Sequence, residues 1–179
     1  LIDGKAVAKK IKAEVADQVA EFTQKTGIKP GLATVLVGDD PASHVYVRNK
    51  IRSTEKCGME SFHYQLDDSV SEDELLNLIE ELNANSDVHG ILVQLPLPKQ
   101  ISEEKVLLKI DPTKDVDGFH PMNVGALVAG KDSFKPCTPL GVMKLLEYYD
   151  ISVSGKDVLI VGRSNIVGKP QALLMLNAS

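Results

Sequence analysis

The sequence predicts an α/β fold: an N-terminal three-layer domain with a parallel sheet, followed by the start of a second unit of the same class. Three observations carry this. Apolar runs of strand length, LATVLVG (Leu32 to Gly38) and GILVQL (Gly90 to Leu95), alternate with amphipathic helical segments. The connections between them are short, which favours right-handed crossovers and parallel pairing. The runs are also apolar at consecutive positions, as strands covered on both faces must be.

The elements follow in order. Val7, Ile11, Val15, Val19 and Phe22 form one stripe, so a helix begins near Asp3 and stops at Gly27. After the first strand, Asp40-Pro41 reads as an N-cap followed by proline at the first helical position, and Gly58 closes that helix. SFHYQL (Ser61 to Leu66) alternates like a strand. Ser71-Glu72-Asp73-Glu74 is a capping box, opening a helix that carries Leu75, Leu76, Ile79 and Leu82. GILVQL is the third strand. Beyond Lys109 the segment DPTKDVDGFHPMNVG reads as a long loop, and Thr138-Pro139 then caps a helix over LGVMKLLEYY. DVLIV (Asp157 to Val161) is expected to be a further strand, ending at the stretch VGRSNIVGKP and a final helix. A division into residues 1–137 and 138–179 follows from the change of pattern at Cys137-Thr138.

Composition narrows the function. The chain has 179 residues, 43% of them hydrophobic and 25% charged, the balance of a globular protein. A net charge of −5 with scattered lysines argues against a nucleic-acid partner. No apolar run approaches the roughly 20 residues of a membrane span, and no signal peptide is visible, although the first residue is Leu1 and not Met. Cys57 and Cys137 belong to no CxxC motif and read as small core thiols of a reducing compartment. His44, His63, His89 and His120 lack metal-ligand spacing, so no metal is expected. A cytoplasmic or organelle-matrix setting fits.

In open parallel sheets, functional groups stand at the carboxyl ends of strands, which marks residues 39–50 and 94–98. Tyr46 and Lys50 are four apart and share a helix face: the ring can stack on a flat substrate and the amine can transfer a proton. The alternative is a solvated face, since Arg48 and Arg52 are near. Gln94 interrupts an apolar strand before LPLP, so its amide needs a partner such as a lysine, a substrate heteroatom or loop backbone. Asp115 and Asp117 could accept hydrogen bonds from an amino-substituted heterocycle, or could serve only as turn chemistry. In GRSNIVGKP, serine stands where GxGxxG has its second glycine. Strand, glycine turn and helix still suit anion binding, and Arg163 with Ser164 could hold a phosphate monoester. A turn without a ligand is the other reading.

Five stretches, PASHVYVRNK, GILVQLPLP, KDVDGFHPMNVG, PCTPLGV and GKDVLIVGRSNIVGKP, together resemble the bifunctional methylenetetrahydrofolate dehydrogenase/cyclohydrolase family across essentially the whole chain. The resemblance implies a folate-binding catalytic domain facing a Rossmann-type NADP-binding domain. It implies oxidation of 5,10-methylenetetrahydrofolate to the methenyl form and hydrolysis to 10-formyltetrahydrofolate, in the one-carbon metabolism that serves purine biosynthesis. Lys50 is implied as the acid/base residue, Tyr46 as the ring that orients folate, Gln94 as the residue that tunes the lysine, and Asp117 as the group that grips the pterin. Val93 and Leu95 join these in binding folate, while Gly162, Arg163, Ser164 and Ile166 contact NADP. A homodimer is implied, with tetrahydrofolate derivatives as partners and neither nucleic acid nor membrane. The family pattern continues beyond Ser179, so more of the nucleotide sheet is expected there. Alternatives are a monofunctional dehydrogenase of the same family and a catalytically silent folate-binding fragment. A short-chain dehydrogenase also pairs Tyr-x-x-x-Lys, but its glycine fingerprint precedes that pair and here it follows.

Overall fold

A computed structural model describes residues 1–178. Its packing divides the chain into two compact units, Lys9–Lys114 and a second made of Leu1–Ala8 with Asp115 onward. The sequence division at 137/138 follows a change of local pattern, whereas this one follows the density of contacts.

The first unit is built on three parallel strands, β1 (Gly31–Val37), β2 (Glu60–Leu66) and β3 (Gly90–Val93), in the order β2-β1-β3. Helices α1 (Gly4–Thr26), α2 (Pro41–Lys56), α3 (Glu72–Ala84) and α4 (Glu103–Lys109) connect or flank them. Side chains alternate across a strand, and here both alternations are covered. Ala33, Val35, Val37, Ile91 and Val93 meet Leu75, Ile79, Leu82, Val106 and Ile110 in one buried cluster. On the opposite alternation lie Thr34, Leu36 and Leu92, all buried, and α2 packs against β1 and β2. That makes three layers. Among the described residues no helix is long and apolar enough to cross a membrane.

Local chemistry sets the helix ends. The Ser71 hydroxyl accepts from the Glu74 amide at 3.3 Å while the Glu74 carboxylate accepts from the Ser71 amide at 3.0 Å, the reciprocal bonds of a capping box. At the other end of α3, the Lys114 ammonium donates to the carbonyls of Leu82, Asn83 and Asn85 at 3.2, 2.7 and 2.8 Å, satisfying acceptors that the helix leaves open. Gly31 begins β1 where no side chain fits, because a Cβ there would lie 2.1 Å from the Asp87 carbonyl oxygen.

The second unit contains α5 (Pro121–Val128), α6 (Cys137–Tyr148) and α7 (Gly168–Asn177). Three expectations are corrected here. The segment after Lys109 is not all loop: His120 caps α5 through its Nδ1, which accepts from the Met122 amide at 3.1 Å, and Pro121 takes the first helical position. Helix α6 starts at Cys137, with Pro136 before it and no side-chain cap, so Thr138 and Pro139 lie inside its first turn, where an absent N–H is tolerated. DVLIV is not a strand. Residues 157–161 are irregular, with Leu159 87% and Val161 94% exposed, because a strand exists only through its ladder and no strand lies beside them among the described residues. The stripe of α1 also ends early, with Val7 and Val19 buried but Phe22 exposed.

The Ile79→Ala variant should lose about 2–5 kcal/mol of stability, since Ile79 is fully enclosed in the cluster beneath β1. A urea titration followed by far-UV circular dichroism measures it.

Candidate functional site

Helix α2 leaves β1 through a turn fixed by its first residues. The Asp40 carboxylate accepts from the Ser43 amide at 2.7 Å, and Pro41 occupies the first turn. The Ser43 amide, and after it the Ser43 hydroxyl, hold the Asp40 carboxyl below its ordinary value of 3.8. Beside it, His44 Nε2 lies 2.6 Å from Asp39 Oδ1.

The inward stripe of α2 carries Ser43, Val47, Lys50 and Thr54, of which Ser43, Val47 and Thr54 are buried and Lys50 half-buried. The lysine therefore sits where a helix of this kind normally places an apolar residue. Gln94 is the first residue past β3. Its amide donates to the Val35 carbonyl at 2.9 Å, extending the ladder by one step. By alternation its side chain emerges on the side opposite Val93, which is the α2 side. Gln94 Oε1 accepts from Lys50 Nζ at 3.0 Å, and Gln94 Nε2 donates to the Leu95 carbonyl at 2.6 Å. Of the partners open to Gln94 on sequence grounds, lysine and loop backbone are both used. Tyr46, one turn before Lys50, is 63% exposed, so its ring is available to a flat ligand. The Val93 side chain belongs to the core cluster and Leu95 is half-buried, which leaves main chain as what Val93 can offer.

In the second unit, the two aspartates of KDVDG behave differently. Asp115 is 2% exposed and its carboxylate accepts from the amides of Gly118 and His120 and from Asn123 Nδ2. Asp117 is half-buried, and the Cys137 thiol donates to the Val116 carbonyl at 3.6 Å and lies 4.0 Å from Asp117 Oδ1. Gly118 adopts φ 68°, and a Cβ there would stand 2.8 Å from the backbone of Phe134 and Lys135. Among the described residues no group of three or more His, Cys, Asp or Glu is gathered as a metal would need.

The stretch VGRSNIVGKP forms a turn leading into α7. Gly162 adopts φ 145°, and a Cβ on Gly168 would meet the Gly162 carbonyl oxygen at 2.4 Å, so only glycine allows the turn to close on the helix. Ser164 Oγ accepts from the amides of Val167 and Gly168 at 3.1 and 3.2 Å. It thereby closes the turn at residues 165–167 ahead of α7, whose own N-cap position is Val167 and carries no side-chain cap bond. Arg163 and Ile166 are exposed. A tight glycine turn, an exposed guanidinium and the amino end of a ten-residue helix fit a phosphate-bearing nucleotide.

These features define the class: an open parallel α/β protein with a lysine–glutamine pair at the carboxyl ends of its strands, joined to a unit with a nucleotide-type glycine turn. Comparison with known proteins specifies it further. The family model for the tetrahydrofolate dehydrogenase/cyclohydrolase catalytic domain matches residues 2–117, and that for the NAD(P)-binding domain matches residues 136–179. The chain belongs to the tetrahydrofolate dehydrogenase/cyclohydrolase family. The bifunctional protein FolD of Sulfurovum sp. is 56% identical over 179 residues, covering 100% of this chain and 64% of that protein. Its counterpart in Campylobacter hominis is 55% identical over 179 residues, covering 100% and 63%. The crystal structure of the Campylobacter jejuni FolD methylenetetrahydrofolate dehydrogenase/cyclohydrolase aligns with a TM-score of 0.95 at 52% identity, over 99% of this chain and 63% of that one. The Trypanosoma brucei enzyme, solved with NADP cofactor and inhibitor, aligns with a TM-score of 0.95 at 38% identity, over 99% and 61%. The chain thus spans a little under two thirds of the length of the curated relatives it matches.

The depressed carboxyl of Asp40 sets a pH dependence. Its ionised form is favoured by folding, so it contributes stability above its ordinary value of 3.8, and that contribution is lost as pH falls through the lower folded value. Asp40→Ala should lower the unfolding midpoint near neutral pH. The gap to the unmodified protein should close as the acid side of 3.8 is entered, as thermal unfolding at a series of pH values would record.

Proposed function

We propose that the protein catalyses the NADP-dependent oxidation of 5,10-methylenetetrahydrofolate to 5,10-methenyltetrahydrofolate and the hydrolysis of that product to 10-formyltetrahydrofolate. The observation that carries the reading is the 3.0 Å hydrogen bond from Lys50 Nζ to Gln94 Oε1 at the carboxyl ends of parallel strands. Membership of the family supplies the substrate class.

In this reading Tyr46 stacks on the folate and orients it, and Asp117 accepts hydrogen bonds from the pterin amino group. Val93, Leu95 and Gln94 border the substrate, Val93 through its main chain. Gly162, Arg163, Ser164 and Ile166 hold NADP, with the Arg163 guanidinium on a phosphate. When bound, NADP supplies the two-electron oxidant for the methylene carbon. The chain's own task in that step is alignment, because the adjacent nitrogen lone pair already weakens the C–H bond. In hydrolysis a water oxygen bonds to the cationic methenyl carbon while Lys50 Nζ takes one of the water's protons. The remaining hydroxyl then gives up its proton as the formyl C=O forms, the carbon–nitrogen bond breaks with its electron pair passing to the ring nitrogen, and Lys50 returns a proton to that nitrogen. Gln94 keeps the amine aimed at that carbon.

We also propose a folate-binding domain over residues 1–137 and a nucleotide-binding unit from 138, a cytoplasmic homodimer, and a role in one-carbon supply for purine biosynthesis. No nucleic acid or membrane has a part in this reading.

The test is formation of methenyltetrahydrofolate from 5,10-methylenetetrahydrofolate and NADP by the gene product, followed by absorbance. No NADP-dependent turnover would reject the reading. Lys50→Met should abolish hydrolysis of supplied methenyltetrahydrofolate, a loss of at least about a hundredfold for removal of a general base. Hydrolysis near the unmodified rate in that variant would remove Lys50 from the role.

A further inference from the structure

We propose that Asp115 is a positioning residue: its buried carboxylate holds the turn at residues 115–120 in the conformation that presents Asp117 to a pteridine. The inference rests on the reading of Asp117 as the pterin-binding acid.

Asp115 is 2% exposed, and all its donors are amides. Oδ1 accepts from Gly118 N at 3.1 Å, and Oδ2 accepts from His120 N at 2.8 Å and Asn123 Nδ2 at 2.9 Å. These bonds reach past Asp117 on its C-terminal side and tie the turn to the first residues of α5. The Asp115 carbonyl also accepts from Gly118 N at 3.2 Å, so Val116 and Asp117 are closed in a loop pinned at both ends. On the far side the turn is fixed by the contact between Gly118 and the Phe134–Lys135 backbone and by the Cys137 thiol on the Val116 carbonyl.

A carboxylate is costly to bury, and a turn alone does not require one. What only a carboxylate offers is two oxygens that both accept and neither donates. An amide in its place would set an NH2 group against Gly118 N on one side or against His120 N and Asn123 Nδ2 on the other, donor facing donor in a buried turn. The acid therefore suits a turn that must hold one geometry. Asp115 is enclosed and occupied by these amides, so it acts through Asp117 and not on the ligand itself.

The test uses the full chain and 5-formyltetrahydrofolate as probe, with affinity read by titration calorimetry and folding by circular dichroism. Asp115→Asn should bind the probe at least about tenfold more weakly, the scale of a buried donor left unpaired. Asp115→Asn combined with Asp117→Asn should bind no more weakly than Asp117→Asn alone, because residues acting in series are not additive. An unchanged affinity in Asp115→Asn, or losses that add in the double variant, would overturn the inference. If Asp115→Asn does not fold, Asn123→Ala removes one donor instead. It should weaken binding severalfold, again without adding to Asp117→Asn, and unaltered binding there counts against the inference in the same way. Should Asp117→Asn bind as tightly as the unmodified chain, or the unmodified chain not bind, the reading of Asp117 itself fails. That failure is visible without the Asp115 arm.

Discussion

A lysine on the inward stripe of a helix has to find an acceptor, and the first unit is arranged around meeting that demand. Ser43, Val47 and Thr54 on the same stripe of α2 are buried, so the stem of Lys50 is drawn toward the sheet while its amine seeks a polar partner. Gln94 provides one at 3.0 Å. A carboxylate there would bring a full negative charge to the amine. The amide oxygen fixes the amine's position without adding one.

The pairing depends on the sheet. Because β3 runs parallel to β1, the carboxyl ends of both strands open on one edge, and α2 starts from that edge through the Asp40 cap. Gln94 continues the ladder by one residue and so inherits the strand's alternation, which turns it toward α2 and away from the core that holds Val93. A shift of one residue in that register would put Gln94 in the apolar cluster and leave Lys50 unmatched. The same logic of enclosed polar groups recurs in the second unit. Asp115 is satisfied by amides of its own turn, and Ser164 satisfies amides at the start of α7.

Much of this was legible in the residues. Strand-length apolar runs, the proline-led cap at Asp40 and the capping box at Ser71 are local signals, and the structure places β1, β3, α2 and α3 within a residue or two of them. Gln94 stood out because a polar residue at the end of an apolar strand needs a partner. The second unit was harder to read. Pro121–Val128 is short and lacks a clear period, so its Asp-, Pro- and Gly-rich lead-in looked like loop. DVLIV has the composition of a strand, but composition does not supply a neighbour. The difference between the two aspartates of KDVDG could not be seen, because they share one local context.

The sequence by itself determined which segments want to be helix or strand, where α2 and α3 begin, and which side chains carry chemistry, because those depend on contacts between near neighbours in the chain. Only the tertiary structure decided that Lys50 meets Gln94 across 44 positions and that Asp115 is enclosed while Asp117 is half-buried. Among the described residues it also places no strand beside residues 157–161. Each of these turns on which distant group lies opposite, and burial, acceptor geometry and strand ladders exist only once the chain has brought those groups together.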